Sequence, residues 1–349
     1  MNFGLGSTTE KNGIPRIERV SPPAAIPGGE VTILGSGLAP RTGGRPVVKF
    51  GDAEAALTLA SSHRLVARVP EYANGSTLQV ICGENESQPH PVSVAFQIAD
   101  NLHPVSNPAV DAGGNIYVTF SGPRGQRVPV SLYKIGPNYA VKPFVTSLTN
   151  PTGLALDREG NLYVSCRHDG TIHKITPDGR AEEWIEGMGI ATGIAFDPVG
   201  NLFVGDRSGT IFKINPSREI FVFATLEPSV SAYHLAFHPG GDLYVTGPTT
   251  SSYDRVYRIT QGGEVFVFYR GLGRPQGMAF DRESNLYLAA SYGGRRGIVK
   301  ITPQGHAEHV LNGSALVGLA LQPSGRAIIA ANSELYTLDW DVYGMPLQG

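Results

Sequence analysis

One histidine stands out of register. In the tract Ala232-Tyr-His-Leu-Ala-Phe237, His234 occupies the place that Thr152-Gly153, Thr192-Gly193, Gln276-Gly277 and Val317-Gly318 give to glycine. An imidazole there could work as a general base if a partner orients it and its pKa lies near 7. The plainer reading is a polar wall residue bonded to a loop. Two polar runs could serve beside it, Arg167-His168-Asp169 and Asp206-Arg207. The second reads as a ligand clamp or as a salt bridge between neighbouring loops. A hard divalent cation such as calcium needs several oxygen ligands, carboxylates above all. Asp169 and Asp206 are the two carboxylates in these runs, and so the candidate metal ligands. Thr152, Thr192, Gln276, His168, Arg207 and Tyr292 complete the candidate set as ligand-binding residues.

Other chemistry is thinly represented. There is no Gly-x-Ser-x-Gly elbow and no His-Glu-x-x-His pair. Gly4-x-Gly6, Gly35-x-Gly37 and Gly293-Gly294 lack the strand–turn–helix setting of a phosphate loop. With only two cysteines, Cys82 and Cys166, no disulfide framework can form. Asn74-Gly-Ser76 and Asn312-Gly-Ser314 fit the glycosylation pattern. The net charge of −2 comes with no basic stripe, which argues against nucleic acid as a partner. No apolar run reaches the ~18 residues that span a bilayer, so membrane insertion is not expected. Met1 to Pro15 has no apolar signal core.

A phrase repeated along the chain positions these residues. Asp, two residues, Gly, Asn and a short apolar strand appear at Asp111-Ala-Gly-Gly-Asn115-Ile-Tyr-Val, Asp157-Arg-Glu-Gly-Asn161-Leu-Tyr-Val and Asp197-Pro-Val-Gly-Asn201-Leu-Phe-Val. Variants follow at His238, Asp281 and Gln322, with spacings of 46, 40, 41, 43 and 41 residues. Each period holds four short strand signals separated by Gly/Asn/Asp turns, and none has helical periodicity. Six such units make a six-bladed β-propeller over 109–349. Asp157, Asp197 and Asp281 start turns and accept backbone N–H groups. The aromatics Tyr117, Tyr163, Phe203, Tyr244 and Tyr287 repeat in register as core between blades. The last blade lacks a fourth strand of its own. The tail, Val342 to Leu347, is expected to supply it, with Val92 to Ile98 as the alternative.

Pro-x-Gly-[Ile/Leu/Met]-Ala-x-Asp-x-x-Gly-Asn-[Leu/Ile]-Tyr-Val, clearest from Pro151 to Val164, resembles NHL repeats and the SMP-30/gluconolactonase-like propellers. That resemblance implies an axial site in which a Glu and several Asn/Asp bind a divalent metal. The matching positions here carry Ser106, Thr152, Thr192, Tyr233, Gln276 and Val317, and no carboxylate. Ahead of the repeats, Ile17…Pro22…Gly28-Gly-Glu-Val-Thr-Ile-Leu-Gly-Ser-Gly-Leu38, then Val47-Val-Lys-Phe-Gly51 and Val69-Pro70, resembles the IPT/TIG immunoglobulin-like domain. It implies an interaction or spacer module.

The expected fold is therefore all-β: a flexible 1–14, a β-sandwich over 15–100, a stiff linker over 101–108 and the propeller. Two functions stay open. One is a non-catalytic binding or scaffold protein holding a small molecule, glycan or protein in the propeller pocket or on its rim. The other is a lactonase-like hydrolase or lyase using His234, with or without a divalent cation. Pairing of these two modules leans towards an extracytoplasmic setting, although no signal peptide is visible.

Overall fold

A computed structural model describes residues 14–40, 44–73, 75–251 and 253–347. The flexible leader expected over 1–14 lies outside the described residues but for its last position, as does Asn74. The chain forms two compact units, Met1–Val94 and Ala95–Gly349. Every described element is a strand, and among the described residues no helix is long and apolar enough to cross a membrane.

The first unit is a β-sandwich. Alternation drives it. In Thr77–Cys82 the side chains of Leu78, Val80 and Cys82 are buried while their neighbours are not. Glu30–Ser36 places Val31 and Ile33 in the same core with Val48, Phe50 and Leu65. One strand, Ala53–Ala60, joins the layers: its first residues pair with Val47–Phe50 and its last with Arg64–Arg68.

The second unit is a propeller-like ring of small antiparallel sheets. Pro151–Leu156, Leu162–Cys166, Thr171–Ile175 and Ala181–Ile185 form one four-stranded meander in sequence order. Equivalent meanders start at Ala109–Val110, Ala191–Phe196, His234–Phe237 and Met278–Phe280, and three consecutive strands start at Leu316–Leu321. The expectation of six four-stranded blades is corrected to five such sheets, because the meander over 278–312 belongs to a six-stranded sheet. At the shared turn, the Asp157 carboxylate accepts the Asn161 main-chain N–H and its side-chain amide, both at 2.8 Å. Asp111, Asp197 and Asp281 repeat the arrangement. Gly160 supplies the positive φ of +82° that closes the turn.

Aromatic side chains weld meander to meander. Tyr163 packs edge-on against Trp184 of its own sheet and Phe196 of the next, with centroids 5.1 and 4.9 Å apart. Phe203 does the same with Phe223 and Phe237, and Tyr244 with Phe268 and Phe280. Such pairs contribute roughly 0.5–1.5 kcal/mol each beyond the area they bury.

Two expectations about the ends of the ring are corrected. The last sheet is completed by Phe96–Ala99, which pairs antiparallel with Leu335–Asp339, and the tail does not supply this strand. Residues 101–108, expected as a linker, lie inside the second unit. Leu102 is buried in its core and donates its N–H to the Ser333 carbonyl. The physical reason is edge satisfaction: Leu335–Asp339 would otherwise leave a row of unpaired N–H and C=O groups. Asn107 makes a second closure. Its side-chain amide donates to the Met278 carbonyl at 2.8 Å and accepts the Leu319 N–H at 3.1 Å, so the first innermost strand holds the last two.

Asn107→Ala should therefore destabilise the propeller unit by about 2–3 kcal/mol, since it strands a buried donor and a buried acceptor at once. Urea unfolding of the full chain measures this; a change below ~0.5 kcal/mol would show that the amide is not a closure.

Candidate functional site

The residues that precede each innermost strand were expected to ring an open axial pocket. The structure brings them together but shuts them in. Thr152 and Thr192 are each only 1% exposed. Ser106 donates to the Thr152 carbonyl at 2.6 Å, and Ser165 donates to the Thr192 carbonyl. The Thr192 hydroxyl donates to the Gly205 carbonyl at 2.7 Å and accepts the Tyr233 N–H at 3.1 Å. Gly277 donates its N–H to the Val317 carbonyl. This end of the ring is thus laced by hydrogen bonds between neighbouring innermost strands. The glycines that follow are required by close approach: a Cβ on Gly153 would collide with the Thr192 carbonyl, and one on Gly193 with the Tyr233 carbonyl.

His234 sits in the same layer and is 4% exposed. Burial pushes its pKa down to about 4, with no neighbouring carboxylate opposing the shift. At neutral pH it is an uncharged wall residue, shielded from solvent. Gln276 is taken up by Arg296, whose guanidinium donates to its side-chain oxygen at 2.6 Å and to the Leu316 carbonyl at 2.9 Å. Tyr292 bonds to Tyr269.

The remaining candidates lie on the loops after the second strands. Asp206 is buried; it accepts the Ile190 N–H at 2.8 Å and the Ser208 hydroxyl. Asp169 accepts the Thr171 hydroxyl at 2.8 Å and its N–H at 3.2 Å. Each carboxylate organises its own loop. Among the described residues no three His, Cys, Asp or Glu side chains gather into a metal-holding group. Arg207 reaches the Val230 carbonyl at 3.1 Å and His168 is exposed beside Gly125. Both cysteines are buried free thiols, and burial pushes Cys166 up to about 12.

An axial cavity of about 730 Å³ opens at the other end of the ring, where the innermost strands finish. The six innermost strands line it, five of them with a Leu/Ile/Met–Ala–Leu/Phe stretch such as Leu154-Ala155-Leu156, Ile194-Ala195-Phe196 and Met278-Ala279-Phe280, and the first with Pro108-Ala109-Val110. The chain's last described residues, Met345 to Leu347, complete the wall. They are led there by Tyr343 and Gly344, which bond to Arg282 and Gln322. The polar lining is occupied: Asp111 binds Asn115 and Tyr117, and Arg158 donates to the Pro198 carbonyl. None of Thr152, Thr192, His234, Gln276, His168, Arg207, Tyr292, Asp169 or Asp206 lines this cavity. Sequence reasoning missed it. The signal was the alanine recurring in mid-strand at 155, 195, 236, 279 and 320, whose small side chains leave the axis unfilled.

Comparisons with known proteins agree with the two-unit architecture. Residues 15–98 match the IPT/TIG domain. Three solved structures share the fold at low identity. A protein provisionally named a gluconolactonase is 18% identical with a TM-score of 0.59, over 73% of this chain and 94% of that one. An auxiliary nutrient binding protein from Bacteroides ovatus is 13% identical with a TM-score of 0.55, over 93% and 97%. A streptogramin B lyase is 13% identical with a TM-score of 0.51, over 81% and 92%. No curated protein matches the chain in sequence.

The depressed pKa of His234 carries a prediction. Its folded value lies below the ~6.5 of an unfolded chain, so the unfolded state binds a proton that the folded state refuses. Stability is complete above pH ~6.5 and falls as the pH drops towards 4, by on the order of 3 kcal/mol. His173, His238 and His309 are also lowered by burial, so the decisive quantity is a difference. Urea midpoints at pH 7 and pH 4.5 should lie closer together in His234→Gln than in the parent chain; an unchanged gap would mean the imidazole is solvated.

Proposed function

We propose that the second unit is a non-catalytic binding module whose axial cavity holds a small, largely apolar molecule, with the IPT/TIG-like unit as an interaction or spacer module. The observation that carries this reading is the cavity itself. Its 730 Å³ falls in the ~300–1,000 Å³ range of small-molecule sites, and its lining is dominated by aliphatic, aromatic and alanine side chains. Its innermost strands are edge strands of their sheets, so main-chain N–H and C=O groups also face the axis and offer a few directional polar contacts. The nutrient-binding relative shares the fold and supports a carrying role by analogy.

The competing reading is a lactonase-like hydrolase or a lyase. The fold shared with a streptogramin B lyase keeps it in view. It would require His234 to meet a substrate and take up a proton near neutrality, and burial opposes both.

The neutral fluorescent probe N-phenyl-1-naphthylamine should bind the full chain saturably, at one site per chain. Ala279→Trp places an indole on the cavity wall and should weaken binding at least tenfold while the far-ultraviolet spectrum stays that of the parent. Equal affinity in parent and variant would overturn the assignment. Turnover of any lactone or ester that is abolished in His234→Gln would favour the enzyme instead.

A further inference from the structure

At the laced end of the ring, Arg124, Arg167 and Arg207 lie close enough for Arg167 to feel the charges of the other two, and none of the three is in an ion pair among the described residues. Arg167 and Arg207 follow the second strands of neighbouring sheets in the same register, and each donates its N–H to the equivalent carbonyl, Asn150 or Ile190. Arg124 comes from the loop of the preceding sheet. That loop is fixed by Asn150, whose side chain accepts the Gly125 N–H at 2.6 Å and donates to the Gly122 and Pro123 carbonyls at 2.7 and 3.0 Å. Asn150 therefore holds Arg124 and Arg167 in one place. The loops of Arg167 and Arg207 interlock in turn: Gly170 is pressed against Gly189, which is pressed against Asp206.

Two features of this cluster lack compensation. The Arg167 Nε is fully buried and has no hydrogen-bond partner. None of the ion pairs among the described residues includes Arg124, Arg167 or Arg207. Asp169 and Asp206, the acids of the same loops, are spent on Thr171, Ile190 and Ser208. The guanidinium of Arg167 feels burial and the repulsion of Arg207 and Arg124, which together lower its pKa. A half-buried cation with an orphaned donor beside two like charges is costly unless something supplies the missing acceptors. Guanidinium forks suit oxyanions, which accept two parallel N–H bonds.

We propose that Arg124, Arg167 and Arg207 form a binding site for a small polyanion, a phosphate-bearing or multiply carboxylated molecule, on the face of the ring opposite the axial cavity. The site is independent of the cavity and stands or falls separately from it. Three positive charges match an oxyanion of two or more negative charges better than a monovalent one.

Titration calorimetry of the full chain at low, matched ionic strength tests this, with pyrophosphate and citrate as probes and sodium chloride as the control. Saturable binding of either probe at one site per chain is expected; pyrophosphate alone indicates a phosphate site and citrate alone a carboxylate site. Arg167→Gln and Arg124→Gln should each weaken binding at least tenfold, whereas Arg180→Gln, an exposed arginine at a distant turn, should not. Without the probe, Arg167→Gln should melt no lower than the parent chain, because it removes repulsion; a structural arginine would show a clear loss. Arg124 is exposed, so its variant keeps the test alive if Arg167→Gln folds poorly. Binding no stronger than the chloride control, or equal losses in Arg180→Gln, would overturn the proposal.

Discussion

Closure of the ring is the constraint on which the rest of the second unit depends. Each innermost strand must approach its neighbours closely enough that a single methyl group would not fit at Gly153, Gly193 or Gly277. Hydrogen bonds from Ser106, Ser165, Thr192 and Asn107 then fix the spacing. The same approach explains why the polar residues at this end are spent on the fold. A hydroxyl that donates to a neighbouring carbonyl in a packed interior is not free to greet a ligand. The open space appears at the other end, where strand ends diverge into turns and only alanine separates the larger side chains.

Charged side chains at the two ends of the ring are held differently. The turns that end the innermost strands carry Asp111, Asp157, Asp197 and Asp281, each carboxylate held by N–H donors from its own Asn. The loops at the opposite end carry Arg124, Arg167, Arg207, Arg274 and Arg296 beside Asp169, Asp206 and Asp254. Arg296 is satisfied by Gln276 and by main-chain carbonyls, with Arg274 as its charged neighbour.

Much of this was legible in the residues, and the parts that were not share a cause. The Asp-x-x-Gly-Asn turn and the strand-two aromatics act within a single repeat or between adjacent repeats, so their roles could be read from spacing. Phe96–Ala99 and the tail Val342 to Leu347 are both short apolar stretches, and nothing local says which one meets Leu335–Asp339. The register of the repeats put Thr152, Thr192, Gln276 and His234 in one layer. Its burial depends on what neighbouring strands do with their carbonyls, which no single repeat encodes. Arg124 was missed for a related reason. The first repeat is 46 residues long where the others are 40 to 43, and the longer loop it contains carries this side chain to Arg167.

The way the ring is closed bears on how it forms. Phe96 pairs with Thr337, and Asn107 reaches Met278 and Leu319, so the two closures bridge most of the second unit's length. Loop-closure entropy grows only as the logarithm of the span, about 0.6 kcal/mol for each doubling, so long-range pairing costs little at equilibrium. It costs more in rate, because those contacts can form only after the intervening meanders have taken their places. Until then Leu335–Asp339 is an exposed apolar edge, and edges of that kind recruit other chains. A strand already synthesised by the time its partner appears shortens that exposure. A strand that follows Leu335–Asp339 in the chain, by contrast, would become available only after that edge was made. Closure by Phe96–Ala99 thus protects the last sheet at the moment it is made and leaves the tail free to complete the wall of the axial cavity.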